Sequence, residues 1–131
     1  MTDRLGYRRK FGVIAPSTNT IVQPEFDMMR VPGVTSHYGR IFIPDGRIAT
    51  DEGMENLLLQ IRANMDACVE SLMTMQPDYM VMGMSAETFW GGVEGNAAFE
   101  RRITERTGLP VTTGASACRA ALEELGVRRV A

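Results

Sequence analysis

The chain has 131 residues, 44% of them hydrophobic and 23% charged, with a net charge of −2 at pH 7. This is one domain's worth of chain, with apolar side chains enough for one core and no electrostatic case for nucleic acid or an anionic membrane as partner. No apolar run approaches the roughly 20 residues needed to span a bilayer, and the apolar segment after the basic start MTDRLGYRRK is too short for a signal peptide, so a cytoplasmic protein is expected.

Residues 11–15 (FGVIA) are apolar throughout, as in a strand of a parallel sheet buried on both faces. They run straight into the uncharged stretch PSTNT, residues 16–20. Residues 20–30 predict a helix with Val22, Phe26 and Met29 on one face and Pro24 in the first turn, where a missing N–H costs little. Residues 34–43 (VTSHYGRIFI) predict a second strand, closed by the turn Pro44-Asp45-Gly46. The clearest element follows. Met54, Leu58, Ile61, Met65, Cys68, Leu72 and Met75 alternate spacings of four and three, the apolar stripe of a long helix. Thr50 or Asp51 can cap its start, and Pro77 follows its end. Residues 79–84 (YMVMGM) predict a third buried strand, residues 96–107 a third helix stopped by Gly108, and LPVTTGA a short fourth strand. Residues 116–125 predict a fourth helix ended by Gly126, and residues 127–131 (VRRVA) the start of a fifth strand. The ten methionines read as adaptable core filler.

Strands alternating with helices imply an α/β fold, a Rossmann-like three-layer domain around a mainly parallel four-stranded sheet. Ligands of such sheets bind beyond the carboxyl ends of the strands. Three small polar segments converge there: PSTNT, GMSAET (residues 83–88) and TTGASA (residues 112–117). Hydroxyls and free backbone N–H groups at strand–helix junctions suit anions without help from Arg or Lys. Ser17, Ser85 and Ser116 serve equally well as helix caps.

Other chemistry-bearing residues read as structural. His37, the single histidine, lies within a strand, where a hydrogen-bonded role is expected. Cys68 falls in the long apolar stripe, and Cys118 shares an apolar face with Ala121, Leu122 and Leu125, so both are expected in the core. The two cysteines have no metal-site or disulfide-framework spacing. Glu87 and Glu94 flank the third loop and read as solvated charges, and Phe89 and Trp90 either wall an apolar pocket or simply pack. GGVEGN, residues 91–96, lacks the spacing of a dinucleotide loop, and no Walker motif is present, so no nucleotide cofactor is expected.

At this point the motifs resemble a known group. GVIAPSTNTIVQPEF resembles the opening of maleate cis-trans isomerases, and SHYGRIFI resembles their second strand, with a His and, three residues on, an Arg. VMGMSAETFWGG and TGLPVTTGASACRAALEELGVRRVA are similar to arylmalonate decarboxylase. Both belong to the aspartate/glutamate racemase superfamily. The resemblance implies two similar α/β domains with the active site between them, catalysis without cofactor or metal, and a small dicarboxylate as substrate. It also implies a cysteine from each half in racemases and isomerases, the first directly after the third strand. Here that position is Gly83, with Met84 and Ser85 next, and none is a thiol. Arylmalonate decarboxylase also has Gly there and keeps only the second-half cysteine, which protonates an enediolate after CO2 leaves. Residues 1–126 are therefore expected to be the first α/β domain and residues 127–131 the start of a strand of the second half. The alternative is a short homologue that builds its site from two copies, a homo-oligomer. Pro16, Ser17, Thr18, Asn19, Gly83, Met84 and Ser85 are the expected substrate-binding residues, and no catalytic residue is assigned. Decarboxylation of a substituted malonate is the leading expectation, with maleate isomerisation or non-catalytic carboxylate binding as alternatives.

Overall fold

Val13, Ile14 and Ala15 have no exposed surface, which marks the first strand, β1 (Arg9–Pro16), as the centre of the sheet. The computed structural model describes residues 3–44, 50–85 and 91–130. After β1 come a short helix α1 (Val22–Met28), β2 (Val34–Ile41), the long helix α2 (Asp51–Met73), β3 (Tyr79–Met82), α3 (Gly92–Thr107), a two-residue strand β4 (Val111–Thr112) and α4 (Gly114–Glu124). The strands run parallel in the order β2-β1-β3-β4, with Ile14 opposite Gly39 on one side and Met82 on the other.

Strand alternation gives the sheet two different faces. Ile14, Met80 and Met82 pack with Ile61, Met65 and Val69 of α2 and with Phe99 and Ile103 of α3 in one buried cluster. The stripe expected for α2 is the one that is buried, although Met54 is only half-buried and Met75 lies beyond the helix end. Thr50 caps this helix by accepting from the Gly53 N–H at 3.1 Å, and Asp51 and Glu52 place negative charge against its N-terminal dipole. Cys68 sits inside this layer, and burial pushes its thiol pKa up to about 11. Gly39 lies directly beneath it. A Cβ at Gly39 would stand 2.6 Å from Cys68 Sγ and 2.8 Å from Leu72 Cγ, so the close approach of α2 to β2 requires glycine there. Across α2 and α3, Arg106 pairs with Asp66 at 3.2 Å and Glu70 at 2.6 Å.

The opposite face is floored by Phe11, Tyr79 and Val81. The rings of Phe11 and Tyr79 meet edge to face at 6.0 Å. Val22 and Phe26 of α1 and Ala117 of α4 stand at the sides of an open apolar groove of about 410 Å3. Val22 and Phe26 share a face as expected, but Met29 is the C-cap of α1 and is 67% exposed.

Several boundaries differ from the sequence expectation. Gly91–Asn96 begins α3 rather than preceding it. Gly91 and Gly95 approach so closely that a Cβ on Gly91 would lie 2.7 Å from Gly95 Cα, and the Gly95 N–H bonds the Gly91 carbonyl. The helix stops at Gly108 in the left-handed region, φ 70°, as its C-terminal glycine predicts. The last helix starts at Gly114 instead of Ser116, since Thr113 is the cap. Cys118 is exposed, against the expectation of a core position, and Leu125 is 77% exposed. None of the residues of α4 is buried, and of its expected apolar face only Leu122 is half-buried. Residues 127–130, expected to begin a strand of a second half, pair with no strand of this four-stranded sheet. Asp45, Gly46, Glu87, Thr88, Phe89, Trp90 and Ala131 lie outside the described residues. Among the described residues no helix is long and apolar enough to cross a membrane.

Candidate functional site

The strand order places the three polar segments side by side along the carboxyl edge of the sheet, the PSTNT loop after β1, Gly83–Met84–Ser85 after β3, and Thr113 after β4. Neighbouring parallel strands are about 4.8 Å apart, so the β1 and β3 loops are within reach of one small ligand. The Gly83 N–H bonds the Ile14 carbonyl at 2.7 Å and carries the pairing one step past β3.

Ser17 and Asn19 of PSTNT do different work. Pro16 is buried at the end of β1, and Ser17 and Thr18 are exposed. The Ser17 N–H donates to the Ile41 carbonyl at 2.8 Å, while its hydroxyl accepts the Ile43 N–H at 2.9 Å. Ser17 thus extends the sheet edge and is not a helix cap. The cap is Asn19. Its Oδ1 accepts from the Ile21 N–H at 3.0 Å and the Val22 N–H at 2.9 Å, and its own N–H bonds the Pro16 carbonyl. With Oδ1 committed to two backbone donors, the other end of the amide is the NH2 group. That group has no partner among the described residues, and neither the N–H nor the hydroxyl of Thr18 has one. The loop therefore presents donors and no charge.

After β3, Gly83 and Met84 are half-buried, Met84 packs against the core, and Ser85 is exposed. Gly83 has little free space. A Cβ there would meet Val22 Cγ1 at 2.8 Å and the Ile14 carbonyl oxygen at 3.2 Å, so any side chain at this position requires Val22 to shift.

The fourth-strand segment is spent on structure. Thr113 is 1% exposed. Its hydroxyl oxygen accepts the Ser116 N–H at 3.1 Å and lies 2.6 Å from Asn96 Oδ1, and the Ser116 hydroxyl accepts the Thr113 N–H at 3.0 Å. This is a reciprocal capping box, extended into α3 through Asn96. Thr112 is likewise engaged, with the Tyr79 hydroxyl 2.6 Å away. Thr113→Val is expected to lower unfolding stability by about 1–3 kcal/mol, because it removes a cap and leaves buried partners unpaired. Urea titration of the variant checks this, and an unchanged midpoint would show the network to be dispensable.

The remaining candidates lie elsewhere. His37 Nε2 is 3.0 Å from Thr35 Oγ1, in the amino-terminal half of β2 and away from the loops. Glu94 is exposed in the first turn of α3, where it complements the helix dipole. No three His, Cys, Asp or Glu side chains gather to hold a metal ion among the described residues. Arg40 entered the sequence reading only as the Arg three residues after His37 and was given no place in the site. It stands beside Ala15 in the sheet register, and its Nη1 donates to the Asn19 carbonyl at 2.8 Å and the Pro16 carbonyl at 3.3 Å. The signal was a lone cation near the carboxyl end of the second strand, and only the parallel pairing of β2 with β1 gives it meaning.

A four-stranded parallel sheet with helices, polar loops along its carboxyl edge and a Gly-Met-Ser turn beside the first loop is one half of a racemase-type fold. The family profile of arylmalonate decarboxylase matches residues 52–131, more than half of the sequence, and the chain belongs to that family. Among solved structures, an arylmalonate decarboxylase crystal structure is 24% identical, with a TM-score of 0.70 over 93% of this chain and 49% of that one. Nocardia farcinica maleate cis-trans isomerase bound to Tris is 20% identical, with a TM-score of 0.72 over 90% and 49%. A liganded double mutant of arylmalonate decarboxylase is 25% identical, with a TM-score of 0.66 over 94% and 49%. The chain spans about half the length of these solved proteins. Among curated proteins the comparison found no match.

Proposed function

We propose that this chain supplies one half of the site of a cofactor-independent enzyme acting on a small dicarboxylic acid, and that the reaction is decarboxylation of a substituted malonate. The bond from the α-carbon to one carboxylate breaks, CO2 leaves, and the electron pair remains as an enediolate shared with the retained carboxylate. The Met84 and Ser85 N–H groups and the Ser85 hydroxyl hold that carboxylate and then the enediolate, while the Asn19 amide orients a carboxylate from the neighbouring loop. Preorganised donors of this kind are worth roughly 3–4 kcal/mol of barrier each. The α-carbon must then take a proton. Position 83 offers no thiol, Cys68 is buried within the α2 layer, and Cys118 lies out on α4, so the acid is assigned to residues outside this chain.

The observation that carries this reading is the Asn19 amide, whose oxygen is locked by two backbone N–H groups and whose NH2 faces no protein partner among the described residues. An amide fixed in this way is a donor, and a donor in an uncharged loop suits a carboxylate. Titration of the isotopically labelled chain with malonate and phenylmalonate, followed by amide NMR, tests it. Shifts are expected at Thr18, Asn19 and Met84, with no CO2 release from the 131-residue chain alone. Absence of shifts at both loops in millimolar ligand overturns the reading. Turnover of an arylmalonate by the isolated chain overturns the assignment of the acid, and fumarate formed from maleate replaces decarboxylation with isomerisation.

A further inference from the structure

We infer that Arg40 is a positioning residue for the dicarboxylate site, acting through Asn19; the inference rests on the carboxylate-binding role proposed for the loop. The β1–α1 connection has no charged residue of its own between Pro16 and Gln23. It is held from β2. One guanidinium nitrogen of Arg40 donates to the carbonyl of Asn19 at 2.8 Å and to that of Pro16 at 3.3 Å. Two residues earlier on the same strand face, the Tyr38 hydroxyl reaches the Gln23 carbonyl at 3.4 Å, a longer and weaker contact on the far side of the turn.

The consequence falls on Asn19. Its carbonyl is fixed by Arg40, its N–H by the Pro16 carbonyl, and its side-chain oxygen by Ile21 and Val22. Only the NH2 group is left, and its direction is set by the other three. Releasing the carbonyl lets the peptide plane turn and carries the amide with it. The guanidinium also places a positive charge one hydrogen bond from an otherwise uncharged loop, which favours an anion there. Arg40 does both without touching the ligand.

The geometry makes an unusual demand. Both bonds leave a single nitrogen, so the forked shape of arginine is not needed, and an ammonium with three donors can satisfy both carbonyls. Arg40→Lys is therefore expected to keep the loop in place, and Arg40→Met, which retains the apolar stem, to release it.

The test is native-state hydrogen exchange at the Ile21 and Val22 amides, which bond Asn19 Oδ1, combined with malonate titration of the same samples. In Arg40→Met these two amides are expected to exchange about 10-fold faster and malonate affinity to fall about 10-fold, the equivalent of one hydrogen bond. Exchange in the β1–β3 ladder is expected to stay unchanged, and Arg40→Lys to restore both readouts. Unchanged exchange at Ile21 and Val22 in Arg40→Met overturns the inference, as does faster exchange with undiminished affinity, or a Lys variant as impaired as the Met variant. Failure of the unsubstituted chain to bind malonate sinks the functional reading, and the ligand role of Arg40 with it, whatever the exchange rates show.

Discussion

Asn19→Asp is expected to abolish dicarboxylate binding while leaving the fold as stable as before. Asp and Asn are comparable caps, so the carboxylate oxygen still accepts from Ile21 and Val22, and its charge suits the start of α1. Stability should stay within about 0.5 kcal/mol of the parent, by the usual spread of near-neutral substitutions. The ligand side reverses sign. The NH2 donor becomes a carboxylate oxygen, which removes a charge-assisted bond of roughly 1.5–3 kcal/mol and sets a like charge against the substrate. Together these cost about 100-fold in affinity or more. Asn19→Ala behaves differently, losing about 1 kcal/mol of stability with the cap as well as affinity. Thermal melts and malonate titration on the same preparations separate the two. An Asp variant that binds malonate like the parent would show that the Asn19 amide is only a cap, and the main local support for a dicarboxylate site would be gone.

Gly39→Ala is expected to destabilise the chain by about 1–3 kcal/mol, the usual cost of forcing an extra methyl into a packed layer. The new Cβ would lie 2.6 Å from Cys68 Sγ and 2.8 Å from both Cδ1 and Cγ of Leu72. The sulfur has a single rotatable bond and the Leu72 branch point is fixed by α2, so the helix must lift from β2. For a domain of this size the shift in Tm is about 4 °C per kcal/mol. Cys68→Ala should return part of the loss, because it removes the nearest clashing atom and the new methyl fills some of the space it leaves. A double-mutant cycle read by urea unfolding measures that coupling. Additive effects of the two substitutions would show that α2 and β2 adjust independently and that glycine at 39 is not a packing requirement. Ligand binding is expected to survive in the double variant, since Gly39 lies one residue short of Arg40 and faces the opposite side of the sheet.

What the sequence by itself determined is whatever depends on local pattern. The continuous apolar run at Val13–Ile14–Ala15 identified a central strand, because only a strand covered on both faces has no polar alternation. The three-and-four spacing from Leu58 to Leu72 identified α2 and its buried side, and Gly108 identified the end of α3. The edge where the polar loops gather followed from the α/β alternation alone. The tertiary structure decided the rest, since it depends on which segments lie next to one another. Three polar segments of similar composition turned out to do different work. The Thr113 and Ser116 hydroxyls cap a helix and join it to α3, Ser17 prolongs the sheet edge, and Asn19 caps with one end of its amide while the other stays available. Composition cannot distinguish these, because a hydroxyl or amide takes whichever partner the fold brings within about 3 Å. Arg40 became part of the site only through the parallel register that sets it beside Ala15. Cys118 and Leu125 have the right helical spacing for a buried face yet remain exposed. An amphipathic stripe shows which side of a helix wants cover, and only the arrangement of the neighbouring elements decides whether anything covers it.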